Sequence, residues 1–379
     1  MTDTLSDSRT SARMFTGNVP VVVEDVRRRP TAERQEILEN PGFGRYFTDS
    51  MFVARYRTGE GWYDARLTAY APLQLDPSTA ALHYAQSIFE GLKAYAQPDG
   101  SVATFRPEAN AARFTRSAKR LAMPPVPEDA FVAAVDALVD ADRDWVPTGP
   151  DQTLYLRPYQ LATEPFLGVR PANEYLFLVI ASPAGAYFSR GVQPVSVYLS
   201  EDYIRAAPGG TGEAKCAGNY AASLLAQEQA SAAGCDQVVW LDALEKRYVE
   251  EMGGMNLFFV LGEGDDAELV TPELTGTLLP GITRASLLTL AGDLGYRVSE
   301  RRFSVEEWRR GAADGSISET FACGTAAVIT PVGEVKARTG DFVVGDGQPG
   351  PISMRLREAL LDIQHGRVAD THGWLHRVA

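Results

Sequence analysis

The stretch Gly209-Gly210-Thr211-Gly212-Glu213-Ala214-Lys215-Cys216-Ala217-Gly218-Asn219-Tyr220 holds one lysine among small residues, with a tyrosine hydroxyl a short way downstream. Glycine and alanine around a lysine let the main chain pass close to something bulky. Cys216 and the helix-like run over 220–233 point to a partly buried setting. A desolvated lysine amine is a good Schiff-base nucleophile. Alone, the same stretch also reads as a flexible loop with an exposed lysine. The rest of the chain has to decide between the two.

Composition narrows the field. The 379 residues are 45% hydrophobic and 22% charged, enough to bury a large core and to fill about two domains. The net charge of −13 argues against nucleic-acid and anionic-membrane partners. It leaves room for a few local arginines to hold an anionic substrate. The 3 cysteines (Cys216, Cys235, Cys323) are far apart and form no C-x-x-C, so neither a disulfide framework nor a zinc site is expected. His372 and His376 stand at helical spacing beside Gly373 and read as a surface tail; no metal is expected. The first ten residues lack the basic and apolar segments of a secretory signal, and residues 1–13 are expected to be disordered. The sparse cysteines fit a reducing cytoplasm, where the protein is expected, and no apolar run reaches the ~18 residues of a spanning helix.

Working outward from the lysine, 195–199 reads as a strand before the loop and 220–233 as a helix after it, with Gly234 as its C′ residue. Residues 237–241 and 247–251 read as a hairpin, and 256–261 as an apolar strand. Residues 278–283 lead into a helix that runs to Gly292. Ser304 and Glu307 have capping-box spacing, and Ile352, Leu356, Leu360 and Ile363 stripe a last helix ended by Gly366. In the first half, 51–56, 92–95, 102–105, 154–158 and 175–181 read as strands. Residues 82–91 read as one or two helical turns closed by Gly91. A helix is expected over 110–123 with Asn110 as its N-cap. Another is expected over 129–141, with Phe131, Val135, Leu138 and Val139 on one face. The small-residue stretch 182–191 marks a boundary. The expected fold is mixed α and β in two domains, 1–183 and 195–379, joined by a linker at 184–194.

Several features of the second half make sense together. Lys215 is the candidate amine and Tyr220 a nearby hydroxyl. Glu251 ends a strand. Gly281-Ile282-Thr283 and Gly324-Thr325-Ala326 each look able to open a helix with free N–H groups, and two such turns with an arginine would form a phosphate cup. Pyridoxal 5′-phosphate needs all of these: a lysine for its aldehyde, a carboxylate against its pyridine nitrogen, a donor to its phenolate oxygen, and a phosphate cup. Taken singly, Glu251 also reads as an ordinary strand-end acid, and Thr283 and Thr325 as plain helix caps.

At this point the sequence resembles a family. Lys215-Cys216-Ala217-Gly218-Asn219-Tyr220, Glu251-Met252-Gly253-Gly254-Met255-Asn256, Leu279-Pro280-Gly281-Ile282-Thr283-Arg284 and Gly324-Thr325-Ala326 are similar to the motifs of class IV, fold-type IV aminotransferases. In the first half, Phe43-Gly44-Arg45-Tyr46-Phe47, Leu82-His83-Tyr84, Phe89-Glu90-Gly91, Arg113 and Tyr155-Leu156-Arg157-Pro158 resemble the branched-chain amino-acid aminotransferases, in the same order. The resemblance implies a small α/β sandwich domain followed by a larger pseudo-barrel domain. It implies leucine, isoleucine and valine as donors and 2-oxoglutarate as acceptor, with pyridoxal 5′-phosphate as cofactor.

The resemblance also implies roles. Lys215 would bond the cofactor and shuttle a proton. Tyr220 would hold the phenolate oxygen, and Glu251 the pyridine nitrogen. Arg113, Ile282, Thr283 and Thr325 would hold the phosphate, and Leu279 would pack on the ring. Phe43, Tyr84, Phe89, Tyr155 and Tyr187 would wall the side-chain pocket. Tyr155, Thr325 and Ala326 would take the α-carboxylate, and Arg157 with Tyr84 the distal carboxylate of glutamate. Tyr84 would reach into the other subunit's site, so a homodimer is implied. The chain departs from relatives at Ala327 and Thr330, where animal mitochondrial members carry a redox C-x-x-C. It departs also at Gly254, where many relatives have a side chain. A D-amino-acid aminotransferase or an aminodeoxychorismate lyase is the alternative within the fold. A binding protein that kept the fold has no need of Lys215, Tyr220 and Glu251 together.

Overall fold

The computed structural model describes residues 14–17, 19–185 and 192–378; the stretch 1–13, expected to be disordered, lies outside the described residues. A short ribbon, β1 (Met14–Thr16) and β2 (Val19–Pro20), leads to β3 (Val22–Val23) and helix α1 (Thr31–Glu39). β4 (Ser50–Arg57) and β5 (Gly61–Ala69) then pair as an antiparallel hairpin. The helix α2 (Ala80–Tyr84) stops on Ala85 at φ 51°, and the chain straightens into β6 (Ser87–Phe89) and β7 (Leu92–Ala96). The helical reading of 82–91 therefore fails after Tyr84. β8 (Val102–Phe105) follows, and then α3 (Pro107–Arg120). Asn110 does not cap α3. The helix starts at Pro107, whose fixed φ and missing N–H suit a first helical position, and Asn110 lies buried one turn inside. α4 (Glu128–Ala141) buries Phe131, Val135, Leu138 and Val139, and β9 (Thr153–Ala162) and β10 (Glu174–Ala184) complete the first half.

The second half opens with β11 (Val195–Ser200), followed by the lysine loop. The single helix expected over 220–233 is two pieces, α5 (Ala217–Ala221) and α6 (Leu224–Ala232). The break falls at Ser223, whose hydroxyl donates to the Tyr220 carbonyl. β12 (Gln237–Leu241), β13 (Val249–Met252), β14 (Met255–Leu261) and β15 (Glu268–Thr271) come next, then α7 (Ile282–Asp293), β16 (Arg297–Glu300) and α8 (Val305–Asp314). Ser304 caps α8 by accepting from the Glu307 N–H. β17 (Ile317–Gly324), β18 (Val328–Lys336), β19 (Phe342–Val343), α9 (Pro351–Gln364) and β20 (Leu375–Val378) finish the chain.

The strands form two large sheets. The first runs β20-β8-β7-β9-β10-β4-β5-β3, with β6 also on β9. Its inner face packs on α3 and α4 through Phe114, Phe131 and Phe177, whose ring centroids are 5.3–6.0 Å apart. The second runs β13-β12-β11-β18-β17-β14, and a further pairing of β13 with β14 closes those strands into a barrel. Alternation along β14 splits the core. Leu257 and Phe259 pack with Trp308 of α8, while Phe258 and Val260 pack with Leu287 of α7 and Leu356 of α9. β20 returns from the far end of the chain to pair with β8, so the last strand belongs to the first sheet. Among the described residues no helix is long and apolar enough to cross a membrane.

Candidate active site

Lys215 sits where the two sheets meet. The Phe89 N–H donates to its carbonyl at 3.0 Å, and Cys216 bridges Ile88, so the lysine's main chain lies alongside β6 of the first sheet. Its own N–H donates to Ser117 Oγ of α3 at 3.0 Å. The side chain is half-buried, and its Nζ lies 2.9 Å from the Tyr220 hydroxyl. Phe89 lies beside both, 5.0 Å from Nζ and 4.9 Å from the Tyr220 ring. The amine is thus aimed rather than loose. A Cβ on Gly254 would meet the edge of the Tyr220 ring at 3.4 Å, an ordinary contact, so the missing side chain leaves one flank of the tyrosine open.

Glu251 supplies a buried carboxylate from the barrel. It is 1% exposed on β13. Oε1 accepts from the Leu279 N–H at 2.7 Å and from Asn256 Nδ2 at 3.3 Å. Arg205 Nε lies 2.8 Å from Oε2 but off the line that a hydrogen bond needs. Burial pushes the Glu251 carboxyl above its ordinary range, and neither Arg205 nor the Leu279 N–H offsets it. Lys215 is among the charges this carboxylate feels. Asn256 reaches it because residue 281 is glycine; a Cβ there would overlap the Asn256 side-chain oxygen.

Another side of the site is built from α3, α7 and the β17–β18 turn. Arg113 is 4% exposed and faces inward. Its Nε and one terminal nitrogen hold Glu90 at 2.7 and 2.8 Å, and the other terminal nitrogen donates to the Pro280 carbonyl at 3.2 Å. Asn110 completes the Glu90 shell at 2.7 Å. α7 starts with Gly281 as its N-cap, so Ile282 and Thr283 carry first-turn N–H groups without helical acceptors. Gly324-Thr325-Ala326 does not open a helix. It is the hairpin turn between β17 and β18, and whatever N–H groups it offers are those of a turn. A narrow cavity links the parts; its lining includes Asn110, Ile282, Thr283, Gly324 and Thr325.

The rim of the site is aromatic. A cavity of about 240 Å³ is lined by Phe43, Phe47, Tyr155, Arg157 and Ile180. Phe43 meets the Tyr155 ring edge-on at 5.1 Å. Arg157 donates to the Glu90 carbonyl at 2.9 Å and to the Tyr155 hydroxyl at 3.2 Å, and lies 4.8 Å over Phe89. A Cβ on Gly91 would overlap the Tyr155 hydroxyl, so glycine there sets how deep that tyrosine reaches. Tyr84 does not join this group. It is exposed, and its hydroxyl donates to the Leu167 carbonyl at 2.6 Å. Tyr187 lies outside the described residues.

Residues 87–335 match the family model of amino-transferase class IV, about two thirds of the chain. The chain belongs to that family. Within it, the chain is 62% identical over 348 residues to the branched-chain-amino-acid aminotransferase of Mycolicibacterium smegmatis, covering 92% of this chain and 95% of that one. It is 48% identical over 334 residues to branched-chain-amino-acid transaminase 1 of Bacillus subtilis, covering 88% and 93%. Among solved structures it resembles the T.th. branched-chain amino acid aminotransferase with pyridoxamine 5′-phosphate, with a TM-score of 0.71 and 32% identity over 86% of this chain and 98% of that one. That enzyme has also been solved with N-(5′-phosphopyridoxyl)-L-glutamate and with 4-methylvaleric acid. These relatives place the chain on the branched-chain branch of the class IV family.

Several residues of this class IV site carry no role in the sequence reading. Glu90 neutralises Arg113, Arg205 flanks Glu251, Asn256 links Glu251 to the Leu279 carbonyl at 3.1 Å, and Ser117 fixes the lysine loop. A signal for some of them exists. Asn110, Arg113 and Ser117 recur at helical spacing on the side of α3 that carries Phe114 and Ala118, and polar residues on a buried stripe need partners. Glu90 stands between Phe89 and Gly91 in an apolar run, where an unpaired acid would be costly.

Proposed function

We propose that the chain is a pyridoxal 5′-phosphate-dependent transaminase that passes the amino group of leucine, isoleucine or valine to 2-oxoglutarate, giving the branched-chain 2-oxo acid and glutamate. The observation that carries this reading is the Lys215 amine, held 2.9 Å from the Tyr220 hydroxyl and within the field of the buried Glu251 carboxylate. The residues fit the cofactor on three counts. Glu251 Oε2 faces an Arg205 Nε that lies off the hydrogen-bond line, and the carboxyl has a raised pKa, which together favour a partner that brings its own N–H. Arg113 and the first turn of α7 favour a phosphate. Leu279, tied by its N–H to Glu251, is held beside that carboxylate, where it would pack on the ring.

Bound there, the cofactor would supply an electron sink that lets an amino acid lose its Cα proton. Lys215 Nζ would take that proton and later return it, with Tyr220 holding the amine in line. Phe43, Phe89 and Tyr155 would exclude water from an aliphatic side chain. Arg157 would meet the second carboxylate of glutamate when that substrate replaces leucine. Thr325 and Ala326 would receive the α-carboxylate.

The exposed apolar residues Leu82, Tyr84, Leu167 and Val169 support a homodimer in which Tyr84 joins the partner's pocket. Residues 1–183 and 195–379 would be its two domains, with 184–194 as linker, and the protein would work in the cytoplasm. The decisive experiment is an amino-donor panel with 2-oxoglutarate as acceptor. Leucine, isoleucine and valine should lead it. D-alanine as the best donor would overturn the reading in favour of a D-amino-acid aminotransferase.

A further inference from the structure

Lys93 lies on β7, 7% exposed, and is unused by the chemistry above. Its Nζ donates to the Ala326 carbonyl at 2.8 Å. Among the described residues no carboxylate forms an ion pair with it. The groups that face it are few. Arg357 of α9 repels it but is itself paired with Asp151 at 3.0 Å. Asp151, just before β9, attracts it. His365, just past α9, is pushed down to about 4 by burial and is neutral at working pH. Burial, reinforced by Arg357, pulls the Lys93 amine down to about 8. A buried ammonium without a counter-ion is costly and persists where something else gains from it.

The turn that Lys93 holds is a strained one. It passes from Gly324 through Thr325 and Ala326 to Val328, which sits at φ 66°. A β-branched residue with positive φ is a genuine outlier that the surroundings must enforce. The cavity beneath the turn is lined by Lys93 together with Asn110, Thr283 and Thr325, so the lysine faces the region that would hold anions. Tying down the Ala326 carbonyl limits rotation about that residue and so fixes where the neighbouring N–H groups point.

We propose that Lys93 is a positioning residue for the substrate α-carboxylate: it staples the Thr325-Ala326 turn through the Ala326 carbonyl and supplies the positive charge beneath it. This rests on the reading of that turn as the carboxylate seat. The charge serves both substrates alike, because leucine and glutamate share the α-carboxylate. That separates it from Arg157, which addresses glutamate only.

The test uses the holoenzyme and two probes of one shape, 4-methylpentanoate and 4-methylpentan-1-ol, each titrated through the visible absorption of the bound cofactor. Lys93→Met should weaken the acid by about tenfold and leave the alcohol unchanged. It should raise KM for leucine and glutamate together, with less change in kcat. In the unaltered enzyme the acid should bind more weakly as pH rises through about 8, where the Lys93 charge is lost. In Lys93→Arg that step should vanish while acid binding is retained. The pH series and the arginine variant decide the matter even where Lys93→Met does not fold. Equal losses for acid and alcohol, or a pH step unchanged in Lys93→Arg, would overturn the proposal. A normal acid titration in an enzyme that transaminates no branched-chain amino acid would instead strike the reaction and leave Lys93 in its role.

Discussion

Two buried acid–arginine pairs flank Lys215, and they titrate in opposite directions. Glu90 belongs to the first sheet and Glu251 to the barrel; both are at most 1% exposed. Burial pushes each carboxyl up. Around Glu90 the bidentate Arg113 and Asn110 overcome it and hold the carboxyl below its usual range. Around Glu251 the arginine is misaligned, the Asn256 contact is long, and burial wins. Glu90 is a completed clamp that keeps a cation in place. Glu251 is a looser one, with its arginine off the hydrogen-bond line. On the proposed function, one chemical motif holds a scaffold in one place and would leave a docking point in another.

The contrast can be broken or sharpened by substitution. Lys215→Ala should have the largest effect, lowering kcat by about a thousandfold or more and abolishing the visible absorption of lysine-bound cofactor. Retention of that absorption would remove Lys215 from the chemistry. Glu251→Gln should lower kcat by roughly a hundredfold with the fold intact, as read by melting temperature beside steady-state rates. Glu90→Gln should do the reverse and cost about 3–5 kcal/mol of stability, because it strands the buried Arg113. If both variants lose activity without stability, the distinction between clamp and docking point collapses.

The same contrast predicts opposite pH responses in cofactor-free protein. The Glu90 carboxyl is held below its ordinary value of 4.5, so its contribution to stability is full above that pH and is lost as pH falls through the folded pKa. Glu251 is raised above 4.5, so its contribution to stability is full below that pH and is lost as pH rises through the folded pKa. Glu251→Gln should therefore cost cofactor-free protein less melting temperature at neutral pH than Glu90→Gln does, although it leaves Arg205 without its acid, and cofactor should raise the melting temperature of the unaltered chain more than that of the variant. Thermal melts with and without pyridoxal 5′-phosphate read this directly.

Smaller effects belong to the rim. Arg157→Met should cost glutamate about tenfold in kcat/KM and leucine much less, in half-reactions run separately. Equal losses would make Arg157 a support for Tyr155 rather than a carboxylate partner. Gly254→Ser should change kcat by about twofold at most, since its Cβ meets Tyr220 at an ordinary distance. A large loss there would mean that the open flank of Tyr220 holds something essential.

Much of this was legible in the sequence where a local signal carried it. Ser304 caps α8, Gly234 follows α6 at φ 72°, and the stripe on α4 is buried as its spacing requires. Local signals misled where tertiary partners claimed the residue. Asn110 has the chemistry of a cap, but its amide is committed to Glu90. Gly324-Thr325-Ala326 has the composition of a helix start, yet strand pairing on both sides makes it a hairpin. The pairs Glu90–Arg113 and Arg205–Glu251 join residues far apart in the chain, and no spacing rule connects them.

The backbone of Lys215 is stitched to β6, while its side chain shares a field with a carboxylate of the barrel. Neither sheet alone can assemble the amine and its acid. The colour of a lysine-bound cofactor would therefore report whether the two halves are docked. Because a ligand that binds only the docked form draws the equilibrium toward it, cofactor supply would act as a late fastener during folding. Damage anywhere along the seam between the sheets would show first as faded colour and slow turnover, before any loss of helix or strand.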